Sequence, residues 1–240
     1  MYFLERFRKK QLECPNNIIY VDDDEYKGGI SYNEIDKLSG KVYAYLNAHG
    51  IGKEDFVLIF LPRGARSICA LYGIWKNGSA FVLLEDIFPK ERVEFIKKDC
   101  NCKLVIDNEV WKDILKYDYK EGYNHNISDH DAAFAVYTSG TTGNPKGVLH
   151  EYGNVDRMID CQLIKDKKFA IKDDIRFALT VPSNYVAFLL FVVYALSFAT
   201  YNVIVSYATF KNPLAFADFI NDYKITGTFL TPSHIKILTS

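Results

Sequence analysis

Hydrophobic positions along residues 30–107 alternate between two periods. Ser31 and Glu34 have the spacing of a capping box, and Ile35, Leu38, Val42 and Leu46 then recur on one helical face until Gly50 stops the pattern. Residues 56–62, FVLIFLP, are a short continuous apolar run closed by proline, which predicts a strand buried on both faces. The alternation then repeats twice. Ile68, Leu71, Tyr72 and Trp75 predict a helix after Gly64 that ends near Gly78, followed by a strand at 80–84. Pro89 is expected at the first position of a helix that continues through ERVEFIKKD, and residues 103–107 form the next strand. Strands joined through helices require right-handed crossovers, so the fold class is predicted to be α/β, with mostly parallel sheets and helices on both faces.

Residues 108–131 are polar and lack a clear period, which predicts a connection with one short helix around 110–115. His125 and His130 lie in it at H-x4-H spacing, and without further ligands nearby they read as solvated loop histidines. Residues 132–138, AAFAVYT, and 147–150, GVLH, are expected as two more strands. Between Arg176 and Lys211 there is no charged residue, and the run VAFLLFVVYALSFATYNVIV is long enough to span a bilayer. A buried helix running into a buried strand is the favoured alternative. Pro182, Ser183 and Asn184 make a natural start, Ser197, Thr200 and Asn202 interrupt the apolar character, and YNVIVSY has strand character.

Composition narrows the function classes. The chain has 240 residues, 49% hydrophobic and 25% charged, enough for one large domain or two small ones. Lys plus Arg (29) nearly cancels Asp plus Glu (30), so there is no electrostatic footprint for nucleic acid. Five cysteines, an odd count without C-x-x-C, suggest reduced thiols in a cytoplasmic protein rather than a disulfide framework or a zinc site. The basic residues Arg6, Arg8, Lys9 and Lys10 precede the polar QLECPNN, which does not resemble a secretory signal.

The candidate chemistry lies between the last two predicted strands, in YTSGTTGNPKG at 137–147. Thr138, Ser139, Thr141 and Thr142 supply hydroxyl donors, Gly140, Gly143 and Gly147 permit close backbone approach, and Lys146 brings positive charge. Such a loop suits a phosphate. It is not a Walker A loop, because Pro145 rather than glycine precedes Lys146, and it is not G-x-G-x-x-G.

This loop resembles the phosphate-loop signature of the adenylate-forming (AMP-binding) superfamily, which includes acyl-CoA synthetases and the adenylation domains of non-ribosomal peptide synthetases. ISYNEID at 30–36 is similar to that superfamily's first core motif. WKNGSAFVLLEDIFPKERVEFIKKD at 75–99 resembles a later one in its peptide-synthetase form, and TGTFLTPSHIKIL at 226–238 resembles a strand and helix start with a recurring Pro-Ser pair. The resemblance covers essentially the whole chain. It implies that residues 1–240 are the N-terminal part of an adenylation domain, with the acidic motif, the ribose-binding aspartate and the C-terminal lid lysine expected downstream.

The resemblance further implies ATP- and Mg2+-dependent activation of a carboxylic acid to an acyl-adenylate, then transfer to the thiol of CoA or of carrier-protein phosphopantetheine. Thr138, Ser139, Gly140, Thr141, Thr142 and Gly143 would hold the β- and γ-phosphates, and Lys146 would act as the catalytic cation on departing pyrophosphate. No nucleic acid or membrane partner is implied. Members that activate α-amino acids place an aspartate after this loop, whereas residues 177–210 contain no acid. Asn184 and Tyr185 are therefore the substrate candidates, for an aryl or aliphatic acid without a charged amino group. Two alternatives remain at this point: an amino-acid adenylation domain, and a shortened non-catalytic module that binds nucleotide or a partner.

Overall fold

In the computed structural model, which describes residues 2–23, 25–138, 145–159 and 176–230 together with 232, 235 and 236, the expected alternation resolves into two five-stranded sheets. The first contains β1 (Ile18–Asp22), β2 (Ile30–Ser31), β8 (Arg176–Leu179), β9 (Tyr201–Ile204) and β10 (Gly227–Thr228), in the order β10-β8-β9-β1-β2. The second contains β3 (Phe56–Leu61), β4 (Ala80–Glu85), β5 (Leu104–Ile106), β6 (Ala132–Thr138) and β7 (Lys146–Glu151), in the order β5-β3-β4-β6-β7. Each sheet is parallel apart from one antiparallel edge pair, β1 with β2 and β6 with β7.

The helices are α1 (Tyr2–Glu13), α2 (Tyr32–Ala48), α3 (Ala65–Asn77), α4 (Lys90–Asp99), α5 (Asn108–Ile114), α6 (Tyr152–Ile159), α7 (Val186–Phe198), α8 (Tyr207–Lys211) and α9 (Pro213–Asp222). Their ends follow local chemistry. The Ser31 side chain accepts from the Glu34 N–H while the Glu34 carboxylate accepts from the Ser31 N–H at 2.8 Å, closing the expected capping box. Gly78 takes φ +90° and ends α3. Asp107 caps α5 by accepting from the Glu109 and Val110 N–H groups. Pro89 departs from expectation: its ψ of 137° is extended, so it is the residue before α4 and Lys90 is the first helical position.

Alternation along the strands separates three apolar layers. Val57, Ile59 and Leu61 of β3 and Phe81 and Leu83 of β4 face a central core shared with α1, α2, α3, α6 and α7. Leu58, Val82 and Leu84 face the opposite side, where Val93 and Ile96 of α4 cover them. The outer face of the first sheet packs Val21, Ala178 and Val203 against Phe216 and Phe219 of α9. The order is helix, sheet, helices, sheet, helix, which is why α3 is buried at every residue except Arg66.

The charge-free run divides as expected into a helix and a strand, α7 and β9. The helix begins at Val186 rather than at residues 182–184, because those three are still leaving the sheet. Its carbonyls are used from inside the core: Tyr20 donates to the Val192 oxygen at 2.9 Å and Tyr32 to the Leu196 oxygen at 2.8 Å. Among the described residues no helix is long and apolar enough to cross a membrane.

Gly73 marks the closest approach in the central layer. A Cβ there would lie 2.4 Å from Val42 Cβ and 2.6 Å from the Ser39 carbonyl oxygen of α2. Gly73→Ala gains about 1 kcal/mol of helix propensity, but overpacking against backbone costs roughly 1–3 kcal/mol. A lower urea midpoint at unchanged m-value is the expected outcome, and an unchanged or higher midpoint would show that α2 and α3 can separate freely.

Candidate functional site

The carboxyl ends of parallel strands are where backbone groups point out of a sheet unpaired, and here the ends of β3, β4, β8 and β9 face one another. Between them is a cleft of about 350 Å³, within the usual range for small-molecule sites. Its walls include Arg63 after β3, Glu85 at the end of β4, Phe88, Thr180 after β8, and Asn184 and Tyr185 before α7. Tyr207, Phe210 and Lys211 of α8 close the far side.

Two opposite charges fix the segment that carries the substrate candidates. The Arg63 guanidinium donates to the carbonyl oxygens of Leu179 (2.5 Å), Thr180 (3.5 Å) and Val181 (2.6 Å). Glu85, only 5% exposed, accepts from both the Ser183 N–H (3.0 Å) and the Ser183 hydroxyl (2.9 Å). Burial pushes the Arg63 guanidinium down from its ordinary value, and the nearby carboxylates Glu85 and Asp23 push it back up. The cation also lies over the Phe188 ring, 5.7 Å from its centroid. The consequence is a rigid rim from which Asn184 and the exposed Tyr185 project.

Neither Arg63 nor Glu85 was singled out from the sequence. The cleft does contain one carboxylate, that of Glu85. It comes from β4, outside residues 177–210. The available signals were a glutamate ending the otherwise apolar AFVLLE and a lone arginine between Pro62 and Gly64.

The glycine-rich loop leaves the same edge. The β4–β6 register pairs Phe81 with Phe134 and Val82 with Ala135; carried forward, it sets Glu85 level with Thr138. Thr138 pairs with Lys146 across the β6–β7 hairpin, so the two ends of the loop meet, and both residues are exposed. Ser139, Gly140, Thr141, Thr142 and Gly143 lie outside the described residues. Beneath the loop ends, the Tyr137 ring occupies the space that a side chain on Gly147 would need, with 2.9 Å between Tyr137 Cζ and a Cβ built there. Its hydroxyl donates to Asp99 Oδ2 at 2.6 Å. Burial first, and that hydrogen bond second, hold the phenol protonated well above its ordinary value.

His125 and His130 are exposed, and among the described residues no group of three or more His, Cys, Asp or Glu could hold a metal ion. Both lie in the connection between α5 and β6.

Comparison with known proteins adds to this geometry. The family described as AMP-binding enzyme matches residues 7–240. Surfactin synthase subunit 1 of Bacillus subtilis is 27% identical over 223 residues, covering 88% of this chain and 6% of that protein. The inhibitor-bound N-terminal domain of FACL13 from Mycobacterium tuberculosis superposes with a TM-score of 0.87 at 20% identity, over 99% of this chain and 65% of that one. The O-succinylbenzoate Coenzyme A Synthetase of Bacillus subtilis, in complex with AMP, gives 0.81 at 18% identity, over 97% and 63%. The chain thus spans a small part of the curated relative and somewhat less than two thirds of the solved chains.

The hold on residues 179–183 can be tested directly. Ser183→Ala removes one donor to a buried carboxylate, a loss of about 1–3 kcal/mol. The expected result is a correspondingly lower denaturant midpoint. An unchanged midpoint would mean that Glu85 does not depend on Ser183.

Proposed function

The chain belongs to the AMP-binding enzyme family, and from that premise and the site's geometry we propose that the protein activates a carboxylic acid with ATP. The substrate carboxylate attacks the α-phosphorus, the bond to pyrophosphate breaks, and an acyl-adenylate forms. A thiol, of CoA or of carrier-protein phosphopantetheine, then attacks the acyl carbon and AMP leaves. The observation that carries this reading is the pairing of Thr138 with Lys146, which closes the glycine-rich loop at the strand edge beside the cleft.

In this reading Thr138, Ser139, Gly140, Thr141, Thr142 and Gly143 donate to the β- and γ-phosphates. Lys146 balances the charge that grows on departing pyrophosphate. Mg2+ would arrive on the phosphate oxygens and keep several of its waters, an arrangement that needs few protein ligands. A reaction drawing on ATP and a thiol acceptor fits the cytoplasmic location expected from the cysteines.

Asn184 and Tyr185 are assigned to the acid's tail. Glu85 does not argue for an amino-acid substrate, because its carboxylate is already engaged by Ser183 and faced by the Arg63 cation. A buried ammonium group would find no free counter-charge there. The acid proposed is accordingly aryl or aliphatic, without a charged α-amino group.

Two measurements on the full-length protein check these assignments. Lys146→Ala and Thr142→Ala should each lower acid-dependent ATP–pyrophosphate exchange by about 10²–10³-fold, the usual effect of losing one group that stabilises transition-state charge; wild-type exchange in both would remove the loop from the mechanism. A panel of α-amino acids and of aryl and short aliphatic acids should give exchange with the second group, and clear preference for a standard α-amino acid would refute the substrate class.

A further inference from the structure

Lys211 is the first charged residue after Arg176, and it ends the charge-free run at the far wall of the cleft. Its backbone is fixed from both sides. Ser206 caps α8 by accepting from the Thr209 N–H at 3.1 Å, and Asn212 caps α9 by accepting from the Leu214 and Ala215 N–H groups at 3.1 and 3.2 Å. Between these caps Phe210 packs edge-on against buried Phe216, with 5.4 Å between ring centroids, which ties the short helix to the outer apolar layer. The Lys211 ammonium lies over the Tyr207 ring, 4.2 Å from its centroid, and both residues line the cleft.

The charges around the cleft do not balance. Arg63, Glu85 and Lys211 are the charged side chains that line it among the described residues. Arg63 is held by the carbonyls of residues 179–181 and Glu85 by Ser183, and the two charges offset each other. Asp23 is engaged at the opposite end of α8, by the Ser206 N–H and the Thr209 hydroxyl. Among the described residues no carboxylate pairs with Lys211, so its charge faces the cleft uncompensated. The walls beside it are Ile87, Phe88, Tyr207 and Phe210. An apolar tail laid against them would strip water from the ammonium without replacing it, whereas an anion would supply a charge-assisted hydrogen bond in its place.

We propose that Lys211 is a specificity-determining residue that binds a second anionic group at the far end of the acid, so that the substrate is a dicarboxylic acid with an apolar middle. This rests on the reading of the cleft as the acid's site. One carboxylate turns toward the strand edge where Thr138 and Lys146 close the phosphate loop. The aryl or aliphatic middle lies along Phe88 and Phe210, and the second carboxylate accepts from the Lys211 ammonium beside the Tyr207 ring.

The experiment uses matched acids that differ only in a terminal methyl or carboxylate: para-toluate with terephthalate, and hexanoate with adipate. Calorimetric titration of the full-length protein without nucleotide should show at least one diacid binding about 10–100-fold more tightly than its methyl partner, the usual effect of one hydrogen bond between charged groups. Lys211→Met should reverse that order and Lys211→Glu should abolish diacid binding. Lys211→Arg should keep the preference, which separates the charge from any effect of substitution on α8. In acid-dependent ATP–pyrophosphate exchange the loss in Lys211→Met should fall on KM rather than kcat, because Lys211 is remote from the reacting carboxylate. Exchange with no acid of either kind would sink the activation reading, and the titrations would still decide the role of Lys211. Equal binding in both pairs, no binding of either diacid, or a diacid preference that survives Lys211→Met overturns the proposal.

Discussion

A chain that leaves a sheet loses the ladder that satisfied its backbone, and in this protein the loss falls where the substrate side of the cleft is built. Residues 180–183 lie beyond the end of β8, outside its ladder, and Pro182 cannot donate at all. Arg63 and Glu85 stand in for the missing ladder, the guanidinium fork taking three carbonyls and the carboxylate one N–H and one hydroxyl. Each charge alone would be costly to bury. Together, and hydrogen-bonded on both sides, they offset each other's desolvation and link the ends of β3 and β4 in one sheet to the end of β8 in the other. The positions of Asn184 and Tyr185 follow from that link.

The carboxyl end of β1 supports the same cleft from behind. Asp22 is 3% exposed and accepts from the Ala65 N–H at the start of α3 (3.0 Å), where the helix dipole favours an anion. Asp23 accepts from the Ser206 N–H (3.1 Å) and from the Thr209 hydroxyl (2.5 Å), at the start of α8. Adjacent carboxylates thus orient the buried central helix and the short helix that bears Tyr207, Phe210 and Lys211.

Local chemistry was readable in the sequence, and pairing between distant segments was not. The Ser31 and Glu34 box, the stop at Gly78 and the buried runs of β3, β4 and β6 depend on residues within one turn or one strand, so their signals are contiguous. The strand β1 depends on Tyr20, Val21 and Asp22 pairing with Asn202, Val203 and Ile204, and nothing near residue 20 announces that partner. For the same reason continuous apolar runs identified buried strands without dividing them between two sheets. The loop could be recognised because its chemistry is concentrated in eleven consecutive residues. The cleft could not, since Arg63, Glu85 and Asn184 converge from separate strand ends.

The hairpin that presents the loop also differs from its neighbours in how it is supported. β3 and β4 lie inside their sheet, with a parallel neighbour on each side, whereas β7 is an edge strand whose Val148 and Leu149 are about half exposed. Cross-strand pairing alone holds an edge weakly. The side chain that compensates is Tyr137, which packs under Gly147 and reaches Asp99 at the end of α4 with its hydroxyl. Both strands of the hairpin are thereby referred to the carboxyl end of one helix. The arrangement of that helix end, set by the turn through Cys100, Asn101 and Cys102, is accordingly part of the support for the loop and not only a connection between α4 and β5.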